Sequence, residues 1–99
     1  MTSPPPLVLL TDPIHADAAA RIGERAVVRV AAANDAAGLL AEAADVDVVV
    51  VRSPLPAEFF ARAPRLRGAI RHGAGVDMIP IEPASRAGVA VANAPGTNQ

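Results

Sequence analysis

A doubly wound α/β fold, with helices on both faces of a parallel sheet, is the fold class that the sequence predicts. Short apolar runs rich in Val and Leu alternate along the chain with segments whose apolar residues recur at three- and four-residue spacing. Apolar residues make up 52% of the chain and charged residues 19%, which is typical of a compact core and not of a disordered tail. With 99 residues, the chain has room for one such core.

The first part of the chain predicts two strands with a helix between them. Leu7–Leu10 is wholly apolar and lies between a proline cluster and the segment Thr11-Asp12-Pro13, which predicts a strand buried on both faces. Residues 14–24 have the apolar spacing of an amphipathic helix. Val27–Val30 contains three valines, which are β-branched, and predicts the second strand.

The middle of the chain repeats this pattern. Asp35–Ala44 is rich in Ala and Leu and predicts a helix, for which its first residue and Asn34 are alternative N-caps. The β-branched run Val46–Val51 predicts the third strand. A short helix is predicted over Pro56–Ala63, with a proline in its first turn and another beyond its end.

The last third of the chain predicts two further strands and a loop that contains glycine. Gly68–Arg71 predicts the fourth strand, and the loop His72–Asp77 follows it directly. A short helix is predicted from about Pro80 to Arg86, and it ends at Gly88. Val89–Ala92 predicts the fifth strand.

Strands that alternate with helices pair in parallel, because a parallel pair needs a long crossover and the helix supplies it. Five such strands predict the flavodoxin-like order 2-1-3-4-5, in three layers of helix, sheet and helix. Ligands of such sheets bind beyond the carboxyl ends of the strands. Those ends carry the segments Thr11-Asp12-Pro13, Arg52-Ser53, His72-Gly73-Ala74-Gly75 and Asn93-Ala94-Pro95-Gly96.

Composition excludes several classes of function. There is no cysteine, which excludes disulfides and thiolate catalysis, and two histidines alone make no convincing metal site. The formal net charge is -1 without a basic cluster, so nucleic acid is not an expected partner. No apolar run approaches the roughly 20 residues of a membrane span. No positively charged region precedes the first apolar run, so a signal peptide is not expected and a cytoplasmic location is predicted.

The loop Gly73-Ala74-Gly75-Val76 is the most informative candidate site. Glycine adopts φ > 0 and lets successive backbone N–H groups approach an anion, so a carboxylate or a phosphate would suit this loop. A tight turn without any ligand is the alternative. The loop is not a dinucleotide fingerprint, because the third glycine would fall on Met78 and Ile79-Pro80 delays the helix that should receive the pyrophosphate.

Polar residues near the strand ends are further candidates. Arg52, followed by Ser53, ends the third strand, where a guanidinium suits paired hydrogen bonds with a bound carboxylate; a solvated surface arginine is the alternative. Histidine can act as an acid or a base near neutral pH, but spacing identifies no carboxylate partner for His72, which favours a structural or solvent-facing role. Asp77 is interpreted as a cap of the following turn, and His15 as a first-turn helix residue.

Asp12 invites comparison with the phospho-acceptor of a receiver domain. That interpretation requires a further acid at the end of the third strand and a lysine at the end of the fifth. Those places hold Arg52-Ser53 and Asn93-Ala94, and the chain contains no lysine. These absences argue against a receiver domain.

Two segments of the last third resemble a known family. The stretches 73–79 and 87–98 resemble the D-isomer-specific 2-hydroxyacid dehydrogenases, including phosphoglycerate dehydrogenase-like members, whose pattern is roughly G-x-G-x-D-N-I-D, a short helix, then G-I-x-V-x-N-x-P-G-x-N. The rest of the chain matches by strand and helix order and by Arg52-Ser53. Met78 and Pro80 stand where Asn and Asp are common in the family.

The resemblance implies the substrate-side domain of an NAD- or NADP-dependent oxidoreductase, whose parent reaction is reversible hydride transfer between nicotinamide and a 2-oxo or 2-hydroxy acid. In that family, backbone amides of the glycine loop hold the substrate carboxylate. This implies the same role for residues 73–76, with Arg52 and Ser53 as supporting contacts. Residues 93–98 look like the family's first crossover into the cofactor domain, which implies that Asn98 lies near the cofactor cleft.

The same resemblance implies a domain organisation. Residues 1–6 are expected to be a proline-rich tail, residues 7–93 the substrate-side domain, and residues 94–99 the start of a crossover. The family's cofactor fingerprint and its catalytic Arg, Glu and His lie further downstream, so the chain alone is expected to bind no cofactor and to lack activity. A standalone flavodoxin-like binding or interaction module is the alternative function.

The expected partners also follow from the resemblance. They are a small 2-oxo or 2-hydroxy carboxylate and the missing C-terminal cofactor domain. The family commonly returns a C-terminal segment to this domain, so an exposed apolar patch is expected where that segment would pack. Self-association through the patch is a further expectation.

Overall fold

The computed structural model describes residues 4–72 and 79–94 of the chain. Every strand and helix that the sequence predicts is present. The strands are β1 (Leu7–Leu10), β2 (Val27–Val30), β3 (Val48–Val51), β4 (Gly68–His72) and β5 (Ala90–Ala94). The helices are α1 (Ala16–Gly23), α2 (Ala36–Ala41), α3 (Glu58–Arg62) and α4 (Ile81–Arg86), with a 3-10 helix at Ala43–Asp45.

All five strands pair in parallel, in the order β2-β1-β3-β4-β5. This confirms the predicted flavodoxin-like topology. The chain order reverses at β1, which lies between β2 and β3. In such sheets, the carboxyl ends of the two strands at the reversal flank a crevice in which ligands bind.

One face of the sheet is covered by α2, the 3-10 helix, α3 and α4. The two phenylalanines of α3 are buried there, and their rings meet edge-on with centroids 6.3 Å apart. Burial of such apolar side chains is the main force that holds the domain together. The buried cluster comprises Leu9, Leu39, Ala43, Val46, Val49, Val51, Leu55, Phe59, Phe60, Ala63, Leu66, Ala69, Ile79, Ala84 and Val89.

The opposite face carries a smaller apolar cluster beneath α1. Val8, Leu10 and Val50 form its buried centre, and Ile14, Ile22, Ala26, Val28 and Val48 pack around it. The register continues this face from β3 across Gly68 and Ile70 to Ala90 and Ala92. Ile70 is only partly buried, and both alanines are exposed. Within the described part of the chain, the β4–β5 half of this face therefore has no helix over it.

The predicted helix over 35–44 is interrupted at Glu42. The backbone carbonyl of Glu42 accepts a hydrogen bond from Nη2 of Arg29 at 3.1 Å, and its carboxylate accepts one from the backbone N–H of Ala32 at 2.8 Å. The Arg29 guanidinium also lies 2.9 Å from Oε1 of Glu42. These contacts with β2 and the loop after it divert Glu42 from the helical ladder, so the chain continues as a 3-10 turn.

The third strand begins at Val48 and not at the predicted Val46. Asp47, which is buried, bonds the backbone of Leu7 twice: its N–H donates to the carbonyl at 2.9 Å, and Oδ2 accepts from the N–H at 2.8 Å. The carboxylate thus occupies the position of a backbone ladder acceptor, and regular strand geometry starts one residue later.

Two helix ends show how local chemistry sets their limits. α4 ends at Arg86 and is followed, as predicted, by Gly88, whose φ of 75° suits glycine; the N–H of Val89 donates to the carbonyl of Ala84 at 2.9 Å. His15 was predicted to lie in the first turn of α1, but it is the N-cap of that helix: its Nδ1 accepts from the N–H of Asp17 at 3.2 Å.

No helix in the described ranges is long and apolar enough to cross a membrane.

Candidate functional site

The carboxyl ends of β1, β2 and β3 bring polar residues from distant parts of the sequence together. Thr11 and Asp12 follow β1, Asn34 lies in the loop after β2, and Arg52 and Ser53 follow β3. We refer to these five residues as the carboxyl-edge cluster. Its position at the reversal of strand order is the place where the fold predicts a ligand site.

Thr11 is the buried centre of this cluster, with 1% of its surface exposed. Its hydroxyl oxygen accepts the backbone N–H of Arg52 at 2.8 Å and that of Ser53 at 3.2 Å. The hydroxyl proton is donated to Oδ1 of Asp12 at 2.8 Å. One hydroxyl has one proton and two acceptor positions, so the hydrogen-bonding capacity of Thr11 is fully used.

Asp12 joins the three strand ends through its carboxylate. Oδ1 accepts from the hydroxyl of Ser53 at 2.6 Å as well as from Thr11, and Oδ2 accepts from Nδ2 of Asn34 at 2.7 Å. The same amide nitrogen of Asn34 lies 3.2 Å from the Ser53 hydroxyl oxygen. Hydrogen bonds to an ionised acceptor are short and strong, which suits the observed distances.

These contacts favour the ionised form of Asp12. Partial burial opposes ionisation, but the hydrogen bonds from Ser53, Asn34 and Thr11, together with the charge of Arg52, outweigh it and hold the pKa of Asp12 below its ordinary value. Asp12 therefore carries a full negative charge at neutral pH.

Asn34 is held in place by the packing of its loop against α2. Asp35 is the N-cap of α2, where its Oδ1 accepts the N–H of Gly38 at 2.8 Å. The other capping residue that the sequence allows, Asn34, is thereby left to contact Asp12. A Cβ added at Gly38 would lie 2.5 Å from the carbonyl oxygen of Ala33, so this close approach requires a glycine.

Arg52 is exposed and extends across the end of β1. Its Nη1 donates to the backbone carbonyl of Pro13 at 3.1 Å. This is its only side-chain hydrogen bond to a residue that the structure describes. A guanidinium has five N–H donors, so four of them have no protein partner within the described ranges.

Space for a ligand exists on both sides of Asn34. One hollow of about 320 Å³ is lined by Thr11, Asp12, Pro13, Val30, Ala31, Ala32, Ala33 and Asn34. Another of about 330 Å³ is lined by Asn34, Asp35, Ala36, Pro54, Leu55 and Pro56. Both are open to the surface at the carboxyl edge of the sheet.

The other predicted site residues lie outside the described residues. They are the glycine-loop positions Gly73, Ala74, Gly75 and Val76, together with Asn98. The backbone of His72 ends β4 opposite Ala94, and Val51 pairs with Arg71. The strands that precede Arg52 and the glycine loop therefore end side by side. Within the described ranges, no group of three or more His, Asp or Glu residues is arranged to hold a metal ion.

Sequence reasoning placed Arg52 and Ser53 at a strand end but assigned no binding or positioning role to Thr11, Asp12 or Asn34. Thr11 and Asp12 were placed at a carboxyl end, but the only role considered for Asp12 was that of a phospho-acceptor, and Asn34 was considered only as a helix cap. The signal that points to them is their shared position after β1 and β2, the neighbours of β3. Polar residues at adjacent carboxyl ends of a parallel sheet converge whatever their separation in sequence.

The fold and the carboxyl-edge cluster define a doubly wound α/β protein with its polar site at the reversal of strand order. A family model for the catalytic domain of the D-isomer specific 2-hydroxyacid dehydrogenases matches residues 8–99. The chain therefore belongs to that family.

Individual relatives agree with this assignment. The chain is 36% identical over 95 residues to D-3-phosphoglycerate dehydrogenase of Mycobacterium leprae, an alignment that covers 94% of this chain and 18% of the relative. The chain thus spans less than a fifth of the length of that dehydrogenase.

Solved structures share the fold. The PH0520 protein of Pyrococcus horikoshii matches with a TM-score of 0.80 at 23% identity, over 92% of this chain and 28% of that one. An NADPH-dependent glyoxylate/hydroxypyruvate reductase of Sinorhizobium meliloti, solved with NADP and malonate, matches with a TM-score of 0.75 at 26% identity, over 90% of this chain and 28% of that one.

Proposed function

We propose that the chain is the substrate-side part of an NAD- or NADP-dependent dehydrogenase that interconverts 2-oxo and 2-hydroxy acids. The observation that carries this proposal is Arg52, an exposed arginine at the crevice end of β3, in a chain that belongs to the 2-hydroxyacid dehydrogenases. Arg52 follows β3, the strand that pairs with β4, and an arginine there suits an anionic substrate that also meets the backbone N–H groups of the loop after β4.

In the proposal, the glycine loop and Arg52 bind the substrate carboxylate through different groups. Residues 73–76 supply backbone N–H groups to the substrate carboxylate, and Arg52 supplies charge and further N–H donors. Ser53, which sequence reasoning placed beside Arg52 as a substrate contact, already donates its hydroxyl proton to Asp12. In the proposal Ser53 is therefore the weaker of the two contacts. Malonate, which is a dicarboxylate, is bound in the solved S. meliloti relative, in keeping with a carboxylate ligand.

The nicotinamide cofactor is proposed to bind elsewhere in the parent protein. The helix after the glycine loop, α4, starts only after Pro80 and carries Glu82 in its first turn. An acidic side chain at a helix N-terminus opposes a phosphate, so this helix does not fit the pyrophosphate. The cofactor would supply the hydride, and the residues of this chain would bind and orient the acid. Asn98 remains a predicted contact at the cofactor cleft.

The domain limits and the location stay predictions. We propose that residues 7–93 form the substrate-side domain and residues 94–99 the start of the crossover to the cofactor-binding part, in a cytoplasmic protein.

The β4–β5 half of the face that carries α1, over which the described residues place no helix, bears on the expected partners. Ala90 and Ala92 are exposed there beside the partly buried Ile70. We propose that this surface associates with a second copy when the 99-residue chain is alone. Sedimentation velocity at rising concentration is expected to show dimers or larger species, and the substitution Ala92→Lys is expected to reduce them. A strictly monomeric chain at high concentration would contradict this expectation.

A chimera tests the proposed function. The chain replaces the matching 95-residue segment of the M. leprae dehydrogenase, and NADH oxidation is measured with a series of 2-oxo acids. We expect turnover of at least one of them and a large loss with Arg52→Ala. Arg62→Ala, which removes an exposed arginine from α3, is the matched control and is expected to have no effect.

A chimera that folds and binds NADH but reduces no 2-oxo acid would contradict the proposal. Titration of the ¹⁵N-labelled chain with oxalate, a planar dicarboxylate, gives a second measurement. Chemical-shift changes are expected at Arg52 and at residues 72–77. Changes confined to other regions would favour a standalone binding module.

A further inference from the structure

We infer that Asp12 is a positioning residue, which locks the turn after β3 so that the Arg52 side chain is presented to the crevice. The inference rests on the proposed function in one respect only, namely that Arg52 binds the acid. The locking itself is a property of the described residues and is argued from their hydrogen bonds. No role in the family's chemistry was assigned to Asp12 by the sequence pattern.

The first step is the direction of the Ser53 hydroxyl. It has one proton, and Oδ1 of Asp12 accepts that proton at 2.6 Å. The Ser53 backbone N–H is also used, because it donates to the Thr11 hydroxyl at 3.2 Å. Ser53 therefore has no donor left for a substrate while Asp12 is ionised. Its role is to anchor the turn.

The second step concerns the carboxylate of Asp12. Oδ1 accepts two hydroxyl protons, from Thr11 and Ser53, and Oδ2 accepts from Asn34. A carboxylate held by three donors is a poor proton acceptor for a reacting group, since ionisation is already stabilised. Asp12 is thus suited to fixing geometry and not to general-base catalysis.

The third step links this anchor to Arg52. The Arg52 N–H donates to Thr11, the residue whose proton Asp12 accepts, and Nη1 of Arg52 donates to the carbonyl of Pro13, which follows Asp12. Both the backbone and the guanidinium of Arg52 are therefore attached to the segment that Asp12 holds. Loss of the carboxylate frees Ser53 and loosens both attachments.

The neutral variant Asp12→Asn tests the inference in the ¹⁵N-labelled 99-residue chain. Hydrogen exchange of the Arg52 and Ser53 amides is expected to become about tenfold faster, because the Thr11 and Ser53 hydroxyls no longer donate to a charged acceptor. The dissociation constant for oxalate is expected to rise by a similar factor. The amides of β4 and β5 serve as internal references and are expected to keep their exchange rates.

Asp45→Asn is the matched control. Asp45 is another carboxylate whose pKa is lowered, in this case by its hydrogen bond with Arg29. It ends the 3-10 helix that follows α2, whereas Asn34 of the carboxyl-edge cluster precedes α2. The charge change is the same, but exchange at Arg52 and oxalate affinity are expected to be unchanged. An equal effect of both variants would show that net charge, and not positioning, is responsible.

Ser53 variants separate positioning from a general loss of stability. Ser53→Ala removes the anchored hydroxyl and is expected to match Asp12→Asn, whereas Ser53→Thr retains a hydroxyl and is expected to restore slow exchange at Arg52. The double variant Asp12→Asn with Ser53→Ala is expected to show less than the sum of the two single effects, because both substitutions act on the contact between Ser53 and Asp12.

Unchanged amide exchange at Arg52 in both Asp12→Asn and Ser53→Ala would overturn the inference. The exchange measurement needs no ligand, so it distinguishes this failure from that of the proposed function. If the wild-type chain shows normal protection but does not bind oxalate, the positioning by Asp12 stands and the carboxylate-binding role of Arg52 fails.

Discussion

Asp12 and Asp47 lie at opposite edges of the same sheet, and both tie β1 to β3. Asp47, at the amino edge, accepts the backbone N–H of Leu7, and its other oxygen lies 3.5 Å from Nε of Arg65. Asp12, at the carboxyl edge, accepts from three side chains and, among the residues that the structure describes, from no backbone group.

The difference between the hydrogen-bond partners of these two aspartates indicates different roles for the two edges of the sheet. The amino edge uses a carboxylate to extend the backbone ladder, which stabilises the pairing of β1 with β3. The carboxyl edge uses one to fix side chains around an exposed arginine, which serves presentation of a charge. Changes at the amino edge are therefore expected to alter unfolding only, and changes at the carboxyl edge to alter the site as well.

Thr11→Val is expected to have the largest effect on stability. The substitution keeps the shape but leaves the backbone N–H groups of Arg52 and Ser53 without acceptors in a buried place. We expect a loss of about 3 kcal/mol in the free energy of unfolding, measured by urea denaturation. Thr11→Ser retains the hydroxyl and is expected to lose much less. Equal losses in the two variants would mean that the hydroxyl is not responsible.

Asp47→Ala sharpens the comparison at the amino edge. The Leu7 N–H loses its acceptor, so we expect a loss of about 2 kcal/mol in the free energy of unfolding. Asp47→Asn retains an acceptor oxygen and is expected to lose less than half of this. NMR signals of Arg52 and Ser53 are expected to stay in place in both variants. Movement of those signals would break the proposed division between the two edges.

Gly38→Ala tests how the carboxyl edge holds Asn34. The added Cβ would lie 2.5 Å from the Ala33 carbonyl oxygen, so the loop must shift, and we expect a loss of about 1.5 kcal/mol. Gly23→Ala is the matched control, because nothing lies within 4 Å of its added Cβ, and it is expected to gain up to about 1 kcal/mol in a helix. Chemical shifts of the Asn34 side chain should change only in the first variant.

The pH dependence of stability is the smallest expected effect. The pKa of Asp12 is lowered in the folded chain from its ordinary value of 3.8. Its stabilising contribution is therefore complete above that value and is lost as pH falls through the folded pKa. When the midpoint temperature of thermal unfolding, Tm, is measured from pH 6 down to pH 2, it should fall less steeply for Asp12→Asn than for the wild-type chain. Identical slopes would contradict the lowered pKa.

Local patterns predicted most of the fold. β1 and β2 have the predicted limits, and the apolar run of β1 is bounded by Pro6 on one side and by Thr11 and Asp12 on the other. The helix predicted over 35–44 was too long, because its sequence favours helix throughout. The contact that ends α2 comes from Arg29, 13 residues before Glu42, and helix propensity, which depends on the local sequence, does not predict it.

The candidate site was predicted only in part for the same reason. Arg52 and Ser53 were found because they directly follow a strong strand pattern. The partners of Asp12 lie 22 and 41 residues away, at Asn34 and Ser53, so only the order and register of the strands bring them together.

The sequence by itself determined the alternation of strands and helices, the parallel sheet and the family resemblance. Each of these depends on the periodicity or the motifs of short segments of the chain. The tertiary structure decided which acceptor each polar group finds: Thr11 for two backbone N–H groups, Asp12 for three side chains, and Asp47 for the edge of β1. The physical reason is that a hydrogen bond requires donor and acceptor within about 3 Å, a condition that depends on how distant segments pack.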